Sequence, residues 1–372
     1  MSARIPRLPA LAPSILGGVI LAVALAALAK LGSLSVNAWA ASGGVQISAV
    51  ALAIAIGIFW RNVIGVSARL EPGLQWVMQW ILRAGIALVG LRLTLEGIAT
   101  VGLIALPVAI ACIGAAIAAS LAIGRHLGLT REFAALLALG TSVCGCTAVV
   151  AAAPVLRARP VDTGLAITCV VLVGSCGMLL YPWIADALFR DNVTAAGVFL
   201  GTSIHDTSQV MGAALIYAQQ FGAPDILPVA GFTKLLRNLS MLILIPMLAI
   251  WANSGSQKTN ASASHATREQ VIPTFLIAFI AFALARTAGD ALFQGSSVEV
   301  RWEQAVAAGL AGSELLLVCG MTAVGLSVSL RDLKTVGLRG ATAALIVAIA
   351  VAVCSLMLTP LIQGAVASAA AG

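Results

Sequence analysis

The stretch GIALVGLRLTLEGIATVG, residues 85–102, returns 235 residues later as GMTAVGLSVSLRDLKTVG, residues 320–337. Gly85, Val89, Gly90, Leu91, Leu95, Thr100, Val101 and Gly102 reappear as Gly320, Val324, Gly325, Leu326, Leu330, Thr335, Val336 and Gly337, eight identities in eighteen positions without a gap. Both copies are apolar and punctuated by glycine, so the pattern predicts an internal duplication. Whether the copies share one orientation depends on how often the chain crosses a membrane between them.

Composition says that it does cross one. Of 372 residues, 60% are hydrophobic and only 9% charged, with a mean hydropathy of +1.05. That excludes an ordinary soluble domain. An outer-membrane barrel needs short alternating segments, and the runs here are continuous. A spanning helix takes roughly 20 apolar residues. Runs between polar breaks predict spans near 13–31, 46–60, 74–91, 100–124, 132–153, 163–185, 194–216, 228–251, 271–289, 303–330 and 337–362. The expectation is an all-α polytopic membrane protein of about eleven transmembrane helices. The duplicated segments are the third and tenth spans, an odd separation that places them in opposite orientations. Inverted repeats of this kind build many secondary transporters.

The long polar stretch ANSGSQKTNASASHATREQ, residues 252–270, is read as a linker. It separates an N-terminal membrane region, 1–251, carrying the first repeat unit, from a C-terminal region, 271–372, carrying the second. The run from Leu8 to Ala29 exceeds the ~7–15 residues of a signal-peptide core, so despite Ala38-Trp39-Ala40 it is read as a retained first span. With the N-terminus cytoplasmic, twelve Lys and Arg fall on inside loops against eight outside or at span ends. That orientation obeys the positive-inside rule. The net charge of +7 then reflects cytoplasmic loops, and no nucleic-acid partner is implied. The seven cysteines lie in apolar segments at spacings that match no zinc or CxxC pattern. They read as small buried hydrophobes, and no metal or other cofactor is expected.

Against this background two polar segments stand out, GTSVCGCTAVVAAAPVL from Gly140 and GTSIHDTSQVMGAALIYA from Gly201. In each Gly-Thr-Ser the glycine either loosens a helix or marks its start, with Thr and Ser capping the freed backbone groups. Exposed helix N-termini there would present N–H groups to an anion. Paired interrupted helices mark transporter binding sites. The alternative is close helix packing through small residues. Gly140, Thr141, Ser142, Gly201, Thr202 and Ser203 are therefore candidate substrate-binding residues. In the second segment Thr202, His205 or Asp206, and Gln209 recur at helical spacing, which predicts one face. Gln209 joins the binding set. His205 and Asp206 form a candidate proton-coupling pair, or else a static hydrogen-bonded pair. Arg83, inside the third span, and Lys234, in KLLRN, are candidate anion ligands. Arg92 and Arg237 either bind substrate or snorkel to the interface.

Together ILRAGIALVGLRLTL, GTSVCGCTAVVAAAPVL, GTSIHDTSQVMGAA, KLLRN and MTAVGLSVSL resemble the bacterial YeiH-type inner-membrane proteins grouped under the label of sulfate exporters. The resemblance runs from about residue 47 to 362. Cys146 and Thr147 stand where that family more often has Ala or Ser. The resemblance implies an inverted-repeat fold of the wider cation/proton antiporter and bile-acid symporter kind, and an anion substrate.

The expected function is thus secondary transport of a small, sulfate-like anion out of the cell, coupled to protons or to the membrane potential. An anion channel is the alternative. No Walker motif supports ATP-driven pumping. An enzyme is not expected, because Ser203, His205 and Asp206 within four positions of one segment cannot form a hydrolase triad among themselves. The partners expected are the anion and the lipid bilayer, with room for a homo-oligomer.

Overall fold

Polar residues standing just before apolar runs write the helix starts. Ser48, Thr94, Thr130 and Asn192 each accept a hydrogen bond from the backbone N–H three residues on. Each such cap contributes roughly 1 kcal/mol. The computed structural model describes residues 13–39, 48–241, 243, 244, 247, 274–296, 298–329 and 332–371. The linker 252–270 lies outside them, as do parts of the eighth and ninth expected spans.

In chain order the helices are α1 (Pro13–Trp39), α2 (Ala49–Phe59), α3 (Glu71–Trp76), α4 (Leu82–Val89), α5 (Leu95–His126), α6 (Arg131–Ser142) and α7 (Cys146–Ala152). They continue as α8 (Pro160–Phe189), α9 (Val193–Ser203), α10 (Thr207–Phe221), α11 (Ile226–Leu239), α12 (Thr274–Phe293), α13 (Glu299–Ser327) and α14 (Asp332–Ala371). A π-helical turn at Trp60–Ile64 extends α2, and another at Val77–Ile81 joins α3 to α4. Among the described residues no strand occurs. Six helical segments are long and apolar enough to cross a membrane: Ile15–Ala38, Glu71–Arg92, Leu95–His126, Pro160–Phe189, Glu299–Ser327 and Gly337–Ser368. Each expected span has a helical counterpart. Among the described residues two of them, the fifth and the seventh, are interrupted.

The chain divides into two compact units. The first comprises Met1–Gly85 and Glu314–Ser329. In it α1 packs on α2 and α3, so closely that a Cβ on Gly18 would lie 2.7 Å from the Cα of Gly73. The two copies begin here, at Gly85 and Gly320. A Cβ on Gly85 would lie 2.9 Å from Leu317 Cγ, and one on Gly320 would lie 2.7 Å from Leu82 Cβ. Leu317 is the repeat counterpart of Leu82, and Gly320 that of Gly85. Residue i touches the counterpart of j while j touches the counterpart of i, which is the signature of a two-fold relation. Chain numbers rise on α4 as they fall on α13, so the helices run antiparallel. A repeat packed this way is inverted, as the odd span separation predicts.

The second unit comprises Ile86–Ser313 and Leu330–Gly372. Its axis is another repeat pair, α5 laid along α14. Around it α5 also packs on α6 and α11, and α14 on α8 and α9. One position departs from the repeat. Gly102 sits inside α5, whereas Gly337 has φ 71° and kinks α14. The cage formed by α5, α8, α11 and α14 holds the two interrupted helices.

Candidate functional site at two helix breaks

The first interrupted helix is α6–α7. Its first half ends at Ser142, and Val143–Gly145 leave helical geometry, Gly145 with φ 67° and ψ −127°. The second is α9–α10, which ends at Ser203, runs extended through Ile204 and restarts after Asp206. The breaks meet: a Cβ on Gly145 would lie 3.0 Å from Asp206 Oδ2 and 3.2 Å from Asp206 Cβ. Glycine is required there both by its positive φ and by this approach.

The breaks are where expected, but their direction is not. Gly140-Thr141-Ser142 and Gly201-Thr202-Ser203 are the last residues of α6 and α9, not the first residues of α7 and α10. Their N–H groups are spent inside the helices, so they do not face an anion. What they present is carbonyl oxygen. Thr141 Oγ1 donates back to Leu137 O at 2.7 Å, and Thr202 Oγ1 to Val198 O at 2.7 Å. The hydroxyls thereby satisfy carbonyls one turn earlier, leaving those of the break itself for other donors.

Those donors come from α11. Arg237, 0% exposed, donates Nε–H to Ser142 O at 2.7 Å, Nη2–H to Thr141 O, and Nη1–H to Thr202 O and, at 3.4 Å, Ile204 O. Lys234, also 0% exposed, donates to Val143 O at 2.7 Å, Ile204 O at 3.0 Å and His205 O. One guanidinium and one ammonium therefore close the carboxyl-terminal ends of both half-helices, where the dipole is negative. Lys234, expected as a substrate ligand, has all three N–H bonds on backbone oxygen. Arg237, left between snorkelling and binding, does not snorkel: it is buried and central. The signal that finds it is positional. Lys234, Arg237 and Asn238 stand at i, i+3 and i+4, one face of α11.

The amino-terminal side of the crossing is more open. Cys146, Asp206, Thr207 and Ser208 are half-buried and Thr147 is exposed. Asp206 caps α10, its Oδ1 accepting from Ser208 N–H at 2.9 Å and from the Ser208 hydroxyl. His205, 1% exposed, keeps an Nδ1 with no hydrogen-bond partner among the described residues. The break also undoes the single-face expectation. Thr202 points to α14, its hydroxyl 2.6 Å from that of Ser355. Gln209 points to α8, donating to Val171 O at 3.0 Å and Ser175 Oγ at 3.1 Å. Gly174 makes room for it, since a Cβ there would lie 2.0 Å from Gln209 Oε1. Arg83 belongs to the other unit, on α4, where its side chain is exposed.

Sequence did not point to Asn238, Gly174, Ser175 or Ser355. Asn238 is buried and donates Nδ2–H to Thr207 Oγ1 at 3.2 Å. Close approach fixes the cage around these groups: a Cβ on Gly201 would lie 2.8 Å from Ala230 O on α11. Among the described residues no group of His, Cys, Asp and Glu is placed to hold a metal ion. The seven cysteines are all free thiols, and not all are buried: Cys176 is exposed, Cys146 and Cys354 half-buried.

A family profile described as conserved hypothetical protein 698 matches residues 17–355. The UPF0324 membrane protein RSc1111 of Ralstonia nicotianae is 31% identical over 318 residues, covering 82% of each chain. A UPF0324 membrane protein of Nitratidesulfovibrio vulgaris is 30% identical across 78% of this chain and 77% of its own length. The relative SAR0338 of Staphylococcus aureus is 29% identical across 79% and 82%. The helical architecture, the membrane-length spans and these matches agree, and the chain belongs to the UPF0324 family of membrane proteins.

Proposed function

We propose that the chain is a secondary transporter that moves a small anion out of the cell across the bacterial inner membrane, its N-terminus in the cytoplasm. One observation carries this reading. Two interrupted helices cross at Gly145 and Asp206, with their carbonyl ends neutralised by Lys234 and Arg237. Broken helices at membrane depth are tolerated only where protein or an aqueous cavity satisfies the freed backbone groups. In inverted-repeat transporters such pairs form the substrate site.

The electrostatics favour an anion. Two buried cations and one half-buried carboxylate leave the crossing at +1 when all three are ionised. Because the cations are spent on carbonyls, they act through their field, and the substrate's direct donors come from the start of α10. Export needs no further fuel, since an inside-negative potential contributes about 2.3 kcal/mol per charge per 100 mV. The buried Lys234, Arg237 and His205 fill the crossing, which favours alternating access over an open channel.

The test is flux. In proteoliposomes, uptake of radiolabelled sulfate is expected to saturate, to accelerate with a trans anion gradient and to respond to an imposed potential. Unsaturable flux at channel rates would replace the carrier by the channel. No flux with sulfate or any other small oxyanion would remove the anion reading.

A further inference from the structure

The first turn of α10 already holds an anion, and it is one of the protein's own side chains. Ser208 places its N–H and its hydroxyl on a single oxygen of Asp206. The other oxygen, Oδ2, lies against Gly145. Beside this turn stands Asn238, 5% exposed, with its Nδ2 on the Thr207 hydroxyl and its Oδ1 without a partner among the described residues. A threonine hydroxyl donates as readily as it accepts. The Asn238 amide can therefore turn over, take the Thr207 O–H on Oδ1 and present N–H instead. Ser208 N–H, Ser208 O–H and, one residue away at Thr207, the Asn238 amide are then the donors of this turn, and Asp206 occupies two of them.

We propose that the Asp206 carboxylate and the transported anion are alternative occupants of the first turn of α10, so that each anion enters together with one proton. This rests on the anion-transporter reading above. A helix N-terminus offers about half a positive charge, enough to favour one anion there but not two. Lys234 and Arg237 on α11 cannot turn toward a second, because their N–H groups hold the carbonyls of both breaks. The other ionisable groups near Asp206 are His205 on its own break and Cys144 and Cys146 across the crossing. Packed along α10, α8 carries its carboxylates, Asp162 and Asp186, near its two ends, with Cys169 and Cys176 between them. Like charges on one turn disfavour each other's ionised form, so the arriving anion drives a proton from hydronium onto Asp206. One O–H bond of hydronium breaks, water leaves, and one O–H bond forms on the carboxyl. The neutral carboxyl releases Ser208, and the crossing keeps its charge when the anion is monovalent.

The experiment uses the full chain in lipid nanodiscs with inorganic sulfate as the probe, between about pH 5.5 and 8. Sulfate affinity is expected to rise up to about tenfold per unit of acidification, the slope for one linked proton. A pH indicator in weak buffer is expected to report one proton taken up per sulfate bound. Asn caps a helix as well as Asp, so Asp206→Asn keeps the fold, and it is expected to bind sulfate with a flat pH profile and no proton uptake. Asn238→Ala is expected to weaken sulfate several-fold while the one-proton linkage survives. Saturable sulfate binding with no proton uptake, or wild-type uptake retained in Asp206→Asn, overturns the exclusion and leaves the anion reading standing. No saturable binding of sulfate, and none of phosphate or thiosulfate, overturns both.

Discussion

The two helix breaks begin alike and end differently. Both α6 and α9 finish on Gly-Thr-Ser, and both hand their last carbonyls to the same two cations of α11. Beyond that point they part. The first restarts at Gly145 with no side-chain cap, as a helix of seven residues. The second restarts under an aspartate cap, as a helix of fifteen. The shared half is a backbone problem, solved by Arg237 and Lys234. The unshared half is chemistry: one break supplies conformational room and the other supplies a titratable charge.

The largest expected effect falls on what the breaks share. Arg237→Met would leave the carbonyls of Thr141, Ser142 and Thr202 without this donor, while Ile204 O keeps Lys234. Each buried orphan costs roughly 1–3 kcal/mol, so the variant is expected to lose its monodisperse peak in detergent gel filtration. Arg237→Lys is expected to recover part of it. Normal folding of the methionine variant would mean that the carbonyls find other partners and that the crossing is not held from α11.

Next comes the feature peculiar to the first break. Gly145→Ala forces a side chain into a positive-φ conformation and toward Asp206, at about 1–3 kcal/mol. A lowered midpoint in thermal unfolding would record it. The matching change in the second break, Asp206→Ala, removes a cap contributing about 0.5–2 kcal/mol. Its stability loss is expected to be the smaller of the two, and its transport loss the larger. The reverse ranking would erase the division between room and charge.

The smallest effect sharpens the comparison within the shared motif. Thr141 and Thr202 both bond back along their own helices, but only Thr202 also reaches a partner on another helix, Ser355. Thr202→Val is expected to cost about 1 kcal/mol more than Thr141→Val, one net hydrogen bond. Equal midpoints for the two variants would show that the α9–α14 contact contributes nothing.

Much of the fold is legible in the sequence because its signals are local or periodic. Apolar runs of membrane length locate the spans, and the copy of 85–102 at 320–337 announces the duplication. Antiparallel, reciprocal packing of Gly85 on Leu317 and Gly320 on Leu82 follows from that copy. The candidate site is legible only in part. Gly-Thr-Ser marks each break but not its direction, because Thr and Ser near a helix's end bond back to carbonyls one turn earlier as readily as they cap the first N–H groups at its start. Reading Thr202 and Gln209 as one face assumed a continuous helix, and the extended backbone at Ile204 and Asp206 rotates the two apart.

By itself, then, the sequence determined an all-helical membrane protein with an inverted repeat and two interrupted helices. Hydropathy, helical period and self-similarity are properties of the chain that no neighbour changes. Only the tertiary structure decided what the charged residues do. Lys234 and Arg237 sit 30 and 33 positions from Ile204, and 91 and 95 from Val143 and Ser142 respectively. Carbonyl oxygens, which every residue carries, leave no mark in the sequence when they become the partners of a buried cation. The same holds for Asp206 and Gly145: an acid and a glycine 61 positions apart become one junction only where two broken helices cross.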